Sequence, residues 1–228
     1  MPHSGATRFA REEKGGLARD PATIFAHRMP GAADRELLSN AVTLSLEARQ
    51  SKDAVRVKVT VTNDLTGHHV PTDSPLRHMI LVVTGEDGNG RGLDFVSGPT
   101  LPDWCGVGEP AEGNYAGLPG KAFAKILEES WTKISPTAAY WNPTRVVSDT
   151  RLGAFETDLS EYAFSVPGPE PVRVEARLLY RRAYKDLMAL KGWNAPDILM
   201  EKETVVLDPP PDGRRSASIS ASRPPKCP

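Results

Sequence analysis

The segment AVRVKVTVTN, Ala54 to Asn63, alternates without a break: Val55, Val57, Val59 and Val61 fall on one face, and Arg56, Lys58, Thr60 and Thr62 on the other. A period of two is that of an extended chain with one face on a core and one in water; a helix would scatter these valines all round its axis. VTLSLEA, Val42 to Ala48, repeats the pattern with Val42, Leu44 and Leu46, and QSKD, Gln50 to Asp53, supplies the turn between them. The two segments therefore predict a half-buried antiparallel hairpin. The alternation returns in VRVEARLLY, where Val172, Val174, Ala176 and Leu178 alternate with Arg173, Glu175 and Arg177, and TRVVSDTR, EYAFSVP and MEKETVVLD read as further strands. HMILVVTGED is apolar on both faces and belongs inside a sheet, and DGNG, Asp87 to Gly90, offers a tight turn into RGLDFVSG. Seven or eight short strands punctuated by turns predict a mainly β fold, an antiparallel immunoglobulin-like or fibronectin-like β-sandwich.

Two or three short helices are inserted into this pattern. PGAADRELLSN, Pro30 to Asn40, has the form of a short capped helix. GKAFAKILEESWTKI spaces Phe123, Ile126, Leu127, Trp131 and Ile134 like one apolar helical face, which predicts a helical insertion near 120–134. RRAYKDLMALKG predicts a helix near 182–191 that Gly192 stops. The organisation that follows is an extended N-terminal arm over 1–40, a sandwich domain over 41–208, and a tail over 209–228 whose Ser, Pro and Arg content cannot bury enough apolar surface to order itself. Residues 99–120 carry Pro99, Pro102, Pro110, Pro119 and five glycines, and read as an excursion away from the sheet.

Composition excludes several functions. With 28 basic and 29 acidic residues spread along the chain, there is no basic face for nucleic acid or an anionic membrane surface. The longest apolar runs are strand-sized, far short of the roughly 20 residues of a membrane-spanning helix. Two cysteines, Cys105 and Cys227, lie far apart, and neither belongs to a C-x-x-C pair. They predict free thiols, no zinc ribbon, and no covalent haem attachment by this chain. The start, MPHSGATRFAREEKGG, has no apolar core of a secretory signal.

Three of the five histidines lie in LTGHHVPTDSPLRH, Leu65 to His78. Imidazole is both a metal ligand and a proton carrier, so His68 and His69 are candidate ligands. The favoured reading is structural, in a turn built by Asn63, Gly67, Pro71, Asp73 and Pro75. Adjacent residues of an extended segment point to opposite sides, so a shared ion would need partners from elsewhere. His69, Asp73 and Ser74 share the loop, but residues so close in sequence do not adopt triad geometry, and no G-x-S-x-G elbow occurs. Calcium binding by Asp103, Glu109 and Glu112 lacks any spaced set of oxygen ligands. The aromatics of AAYWNPTR and KGWNAPDILM would either close the end of the sandwich or form a surface for carbohydrate or peptide. These residues leave catalysis open, the enzyme reading being a small metal-dependent one that uses His68, His69 and Asp73.

The string VTVTNDLTGHHVPTDSPLRHMILVVTGEDGNG, followed by SDTRLGAFETDLSEYAFSVPG and VRVEARLLYRRAY, resembles the C-terminal β-sandwich domain of extracytoplasmic multihaem c-type cytochromes. The shared features run in order: V-T-N at Val61 to Asn63, G-H-x-x-P-T at Gly67 to Thr72, Arg77, Leu81 to Val83, the turn Asp87 to Gly90, Asp149 to Arg151, and Leu178 to Arg181. The resemblance implies an electron-transfer setting in the periplasm, haem c carried by a missing segment before Met1 or by a partner, and a haem-bearing cytochrome module as partner. It also implies that His27, in HRMPG, is a candidate distal haem ligand, with His3 a second and His68 and His69 further ones. Two departures stand out: C-x-x-C-H is absent, and Asp73 replaces the glycine usual after P-T. The other function left open is a stand-alone β-sandwich module binding carbohydrate, peptide or metal without redox activity.

Overall fold

The computed structural model describes residues 3–8, 10–25, 31–72, 74–168, 170–209 and 219–222. The chain divides into two compact units, Met1–Asp34 and Arg35–Pro228. In the first, the chain doubles back: His3 and Phe25 form an antiparallel bridge, and the Ser4 amide donates to Ile24 O at 2.9 Å. Single 3-10 turns at Glu12–Lys14 and Pro21–Thr23 punctuate it. The arm predicted to reach residue 40 ends earlier, because Arg35–Ser39 is a helix, α1, that belongs to the larger unit and packs on its last long strand.

The larger unit is an antiparallel β-sandwich. Its strands are β1 Thr43–Gln50, β2 Ala54–Thr62, β3 His78–Asp87, β4 Phe95–Ser97, β5 Gly120–Glu129, β6 Thr144–Asp149, β7 Thr157–Ser165, β8 Val172–Arg181, β9 Ile198–Leu207 and β10 Ile219–Ser222. One sheet has the order β10-β1-β2-β7-β4 and the other β6-β5-β3-β8-β9. The predicted hairpin is β1–β2, paired from Thr43↔Thr62 to Gln50↔Val55. Its alternating residues Leu44, Leu46, Val55, Val57, Val59 and Val61 are buried and face the second sheet, where Val172, Val174, Ala176 and Leu178 of β8 answer them.

The segment predicted as a helix near 120–134 is strand β5. Its apolar residues suit helical spacing, yet β3 lies inside the sheet and must pair its backbone groups on both edges. β5 does this from His78↔Ala124 to Val82↔Gly120, which no helix could do. Trp131 and Ile134, placed on the expected helix face, lie beyond the strand and are exposed. Gly120 is required at the start: a Cβ there would fall 2.1 Å from Leu81 O. The helix predicted near 182–191 is α2, Lys185–Lys191, stopped by Gly192 in the left-handed conformation. DGNG does form a tight turn, but the strand after it crosses to the other sheet and pairs with β7. The tail is not wholly without structure, because β10 adds to β1 from Ser45↔Ser222 to Ala48↔Ile219 and satisfies that edge.

Residues 99–119 do not leave the sheet. They lie on its outer face, where Leu101, Cys105 and Tyr115 bury Ile80, Val82 and Leu179. β3 is therefore apolar on both faces for two separate reasons: Met79, Leu81 and Val83 face the other sheet, and Ile80 and Val82 face this covering segment.

Candidate functional site

The histidine loop leaves β2 at Asn63, a fully buried polar residue. Its Nδ2 donates to His68 O at 2.8 Å, Leu152 O at 3.1 Å and Gly153 O at 2.9 Å, and its Oδ1 accepts from Thr66 Oγ1 at 2.6 Å. Val70 and Leu152 exchange both backbone bonds at 2.9 Å. One amide thus ties the loop to the β6–β7 connection, since an unpaired buried amide would be costly. Within this frame His68 and His69 are both exposed. His68 Nδ1 lies 2.9 Å from His69 O. A carbonyl only accepts, so Nδ1 carries the proton and the Nε2 lone pair is left free, the orientation that iron- or zinc-binding imidazoles acquire from a backbone partner. His69 has no such bond among those described, and Asp73 and His27 lie outside the described residues. His3 is exposed and stacks on Phe25 at 4.8 Å.

His78, at the start of β3, differs in kind. It is opposite Arg181 in register, is 0% exposed, stacks on Tyr184 at 5.1 Å and meets the Trp104 edge at 5.2 Å. Nδ1 donates to Leu76 O at 3.0 Å, and Nε2 is buried without a partner. Burial lowers its pKa from 6.5 to about 4, so the ring is neutral. Enclosed by aromatics, it is out of reach of any external ligand.

Arg181 organises the outer face. Its guanidinium, 1% exposed, donates from Nε to Asp197 Oδ1 at 2.7 Å, from Nη2 to Asp197 Oδ2 at 2.7 Å and Gly113 O at 2.6 Å, and from Nη1 to Cys105 O at 2.7 Å. The fork of donors matches a carboxylate on one side and two carbonyls of the covering segment on the other. Beside it lies an open groove of about 760 Å³ between Tyr115, α2, Trp193 and β9, with Arg177, Lys185 and Lys202 on its wall. Cys105 is fully buried, and burial pushes its thiol up to about 12, so it is an inert apolar residue.

Haem c needs two thioether cysteines and axial donors. The sole cysteine among the described residues is the buried Cys105, and these residues contain no cluster of three or more His, Cys, Asp or Glu able to hold a metal. The chain therefore does not fit covalent attachment. Of the exposed described histidines, His68 is the one whose Nδ1 lies against a backbone carbonyl.

The sheets and their order define a sandwich that also occurs in a multihaem cytochrome. The chain is similar to the penta-heme cytochrome c552 from Thermochromatium tepidum, with a TM-score of 0.58 and 20% identity over 84% of this chain and 47% of that one. The likeness is one of fold, and this chain spans about half the length of that cytochrome. No family model matches the sequence, and no curated protein matches it at a significant level.

Reading the sequence for function missed Asn63, His78, Arg181 and Asp197. Asn63 and Arg181 stood in the V-T-N and L-x-Y-R strings, but nothing in those strings shows that each binds carbonyls more than 60 residues away.

Proposed function

We propose that this chain is the non-catalytic β-sandwich part of a multihaem cytochrome c-like, extracytoplasmic electron-transfer protein. It packs on or shields haem c carried by another segment or by a partner, and supplies a distal axial histidine. The observation that carries this is the shared fold with a penta-heme cytochrome, together with an exposed imidazole whose Nδ1 is tied to the backbone. Haem, when bound, supplies the one-electron couple; the protein's part is to present an imidazole, exclude water and hold the porphyrin edge. In this reading His27 and His3, of the N-terminal arm, are the first candidate donors, and His68 and His69, of the Asn63 loop, are further ones.

The test is titration of the purified chain with ferric haem, followed in the Soret band. A saturable red shift is expected, and loss of the shift in His68→Ala, His27→Ala or His3→Ala identifies the donor. No shift in the wild type, or one that survives all three substitutions, would overturn the ligand role. A second reading, a stand-alone module for carbohydrate or peptide, draws on the exposure of Tyr140 and Trp141, which do not close the end of the sandwich as packing residues would.

A further inference from the structure

The groove beside Arg181 takes no part in the haem reading, yet its volume, about 760 Å³, is that of a small-molecule site. Its floor is sheet. β8 and β9 pair there as Leu179↔Leu199 and, past a register shift, as Arg177↔Lys202. One end of the floor is therefore apolar, and the other sets two cations directly opposite each other.

The apolar end is left partly open. Leu179 is packed under the covering segment, but Leu199 is 48% exposed and Trp193, just after α2, is 51% exposed. Trp193 is held by its backbone: Gly192 ends the helix in the left-handed conformation, and the Trp193 amide donates to Met188 O at 2.9 Å. The facing wall is pinned as well. Lys185 Nζ donates to Glu112 O, and the Arg181 guanidinium sits 5.4 Å from the centre of the Tyr115 ring. Walls fixed in advance lower the entropy cost of holding a ligand.

The charged end has too few carboxylates for its cations. Four cations, Arg177, Arg181, Lys185 and Lys202, line the groove against three carboxylates, Glu112, Glu175 and Asp197. Asp197 is taken by Arg181 through two bonds, and Glu112 can be set against Lys185. Glu175 then serves Lys202 at 2.8 Å, Arg177 at 3.4 Å and also Arg173 at 3.1 Å. With every lining carboxylate counted, one positive charge is left over, and Arg173 adds a second. The other carboxylates nearby do not cancel it: Glu201 and Glu203 stand opposite Leu178 and Ala176, on the side turned to the other sheet, and Asp186 of α2 does not line the groove. Like charges directly opposite each other on a sheet repel, and an anion between Arg177 and Lys202 relieves that repulsion.

The two ends together select the ligand. An inorganic anion would leave Leu199 and Trp193 bare, and a neutral hydrocarbon would leave the cations unmatched. We infer that the groove binds a small organic carboxylate with an apolar body, the carboxylate between Arg177 and Lys202 and the body on Leu179, Leu199 and Trp193. The site is built from this chain's own residues, so it stands or falls apart from the function proposed above.

The test is calorimetric titration of the full chain with 2-naphthoate. Its uncharged match, 2-naphthylmethanol, and inorganic phosphate, an anion without an apolar body, are titrated in parallel. Saturable binding of naphthoate is expected, with both comparison compounds ~10-fold or more weaker. Arg177→Gln/Lys202→Gln, which leaves Arg173 to partner Glu175, should weaken naphthoate ~10-fold or more and leave naphthylmethanol unchanged. Leu199→Glu, at a half-exposed position that tolerates a charge, should weaken naphthoate as well, and urea midpoints like that of the wild type exclude a folding defect in either variant. No saturable binding of naphthoate at millimolar concentration, equal binding of naphthylmethanol or of phosphate, or binding that survives both variants would overturn the site. Binding of hexaglutamate without binding of naphthoate would overturn it too, assigning the groove to an acidic protein segment instead.

Discussion

Single residues hold this protein's polar interior, and His78 turns one of them into a pH response. Its folded pKa, about 4, lies below the 6.5 of a free imidazole because burial penalises the charged ring. Above pH 6.5 both states are neutral and the full stability is present; as pH falls toward 4 the unfolded chain takes up a proton that the folded one refuses. Unfolding free energy should therefore drop by about 3 kcal/mol between pH 7 and pH 4 from this group alone. Urea midpoints measured across that range for wild type and His78→Phe would show it, and equal slopes in the two proteins would refute it. Of the five histidines, sequence singled out the adjacent pair and, through the resemblance, His27 and His3, but not His78. His78 was one more residue of the loop, because the aromatics that bury it, Trp104 and Tyr184, arrive from segments 26 and 106 positions away.

At the scale of elements, the strands with strict alternation were legible because period two specifies both conformation and buried face. β5 was not, because Phe123, Ile126 and Leu127 satisfy helical spacing as well, and the decision belongs to the unpaired edge of β3. The covering segment 99–119 was misread for a related reason: Pro and Gly signal irregular backbone, and irregular backbone on a sheet face looks the same in sequence as backbone in water. What fixes it is Arg181. Arg181→Ala would strand Asp197 and the carbonyls of Cys105 and Gly113, and should cost about 3–5 kcal/mol, read as a lowered midpoint in urea. Arg181→Lys should recover only part of this, since an ammonium cannot reproduce the fork. A loss below 1 kcal/mol would mean that the segment is held by apolar contacts with Ile80, Val82 and Leu179 instead.

For the whole molecule, the sandwich is common to this chain and a penta-heme cytochrome, whereas the means of carrying haem is not among the described residues. The site was legible only as far as residue type: His68 and His69 were recognised as imidazoles on a loop, and their presentation depends on Asn63 bonding across the sandwich end. For the aromatics of AAYWNPTR the residue types left end packing and an open surface equally legible, and the fold decides for exposure, with Tyr140 and Trp141 outside the packed end.

The covering segment also determines how the molecule fails. It lacks a continuous ladder of backbone bonds, so it can come away while the ten strands remain paired, and the surface it leaves behind is a sticky stripe of Ile80, Val82 and Leu179 on an intact sheet. A warmed solution of Arg181→Ala should therefore turn turbid before its far-ultraviolet dichroism changes; clear solutions up to the loss of dichroism would show that segment and sheet melt as one. Colloidal shelf life, more than thermodynamic stability, would then be the property this one guanidinium protects.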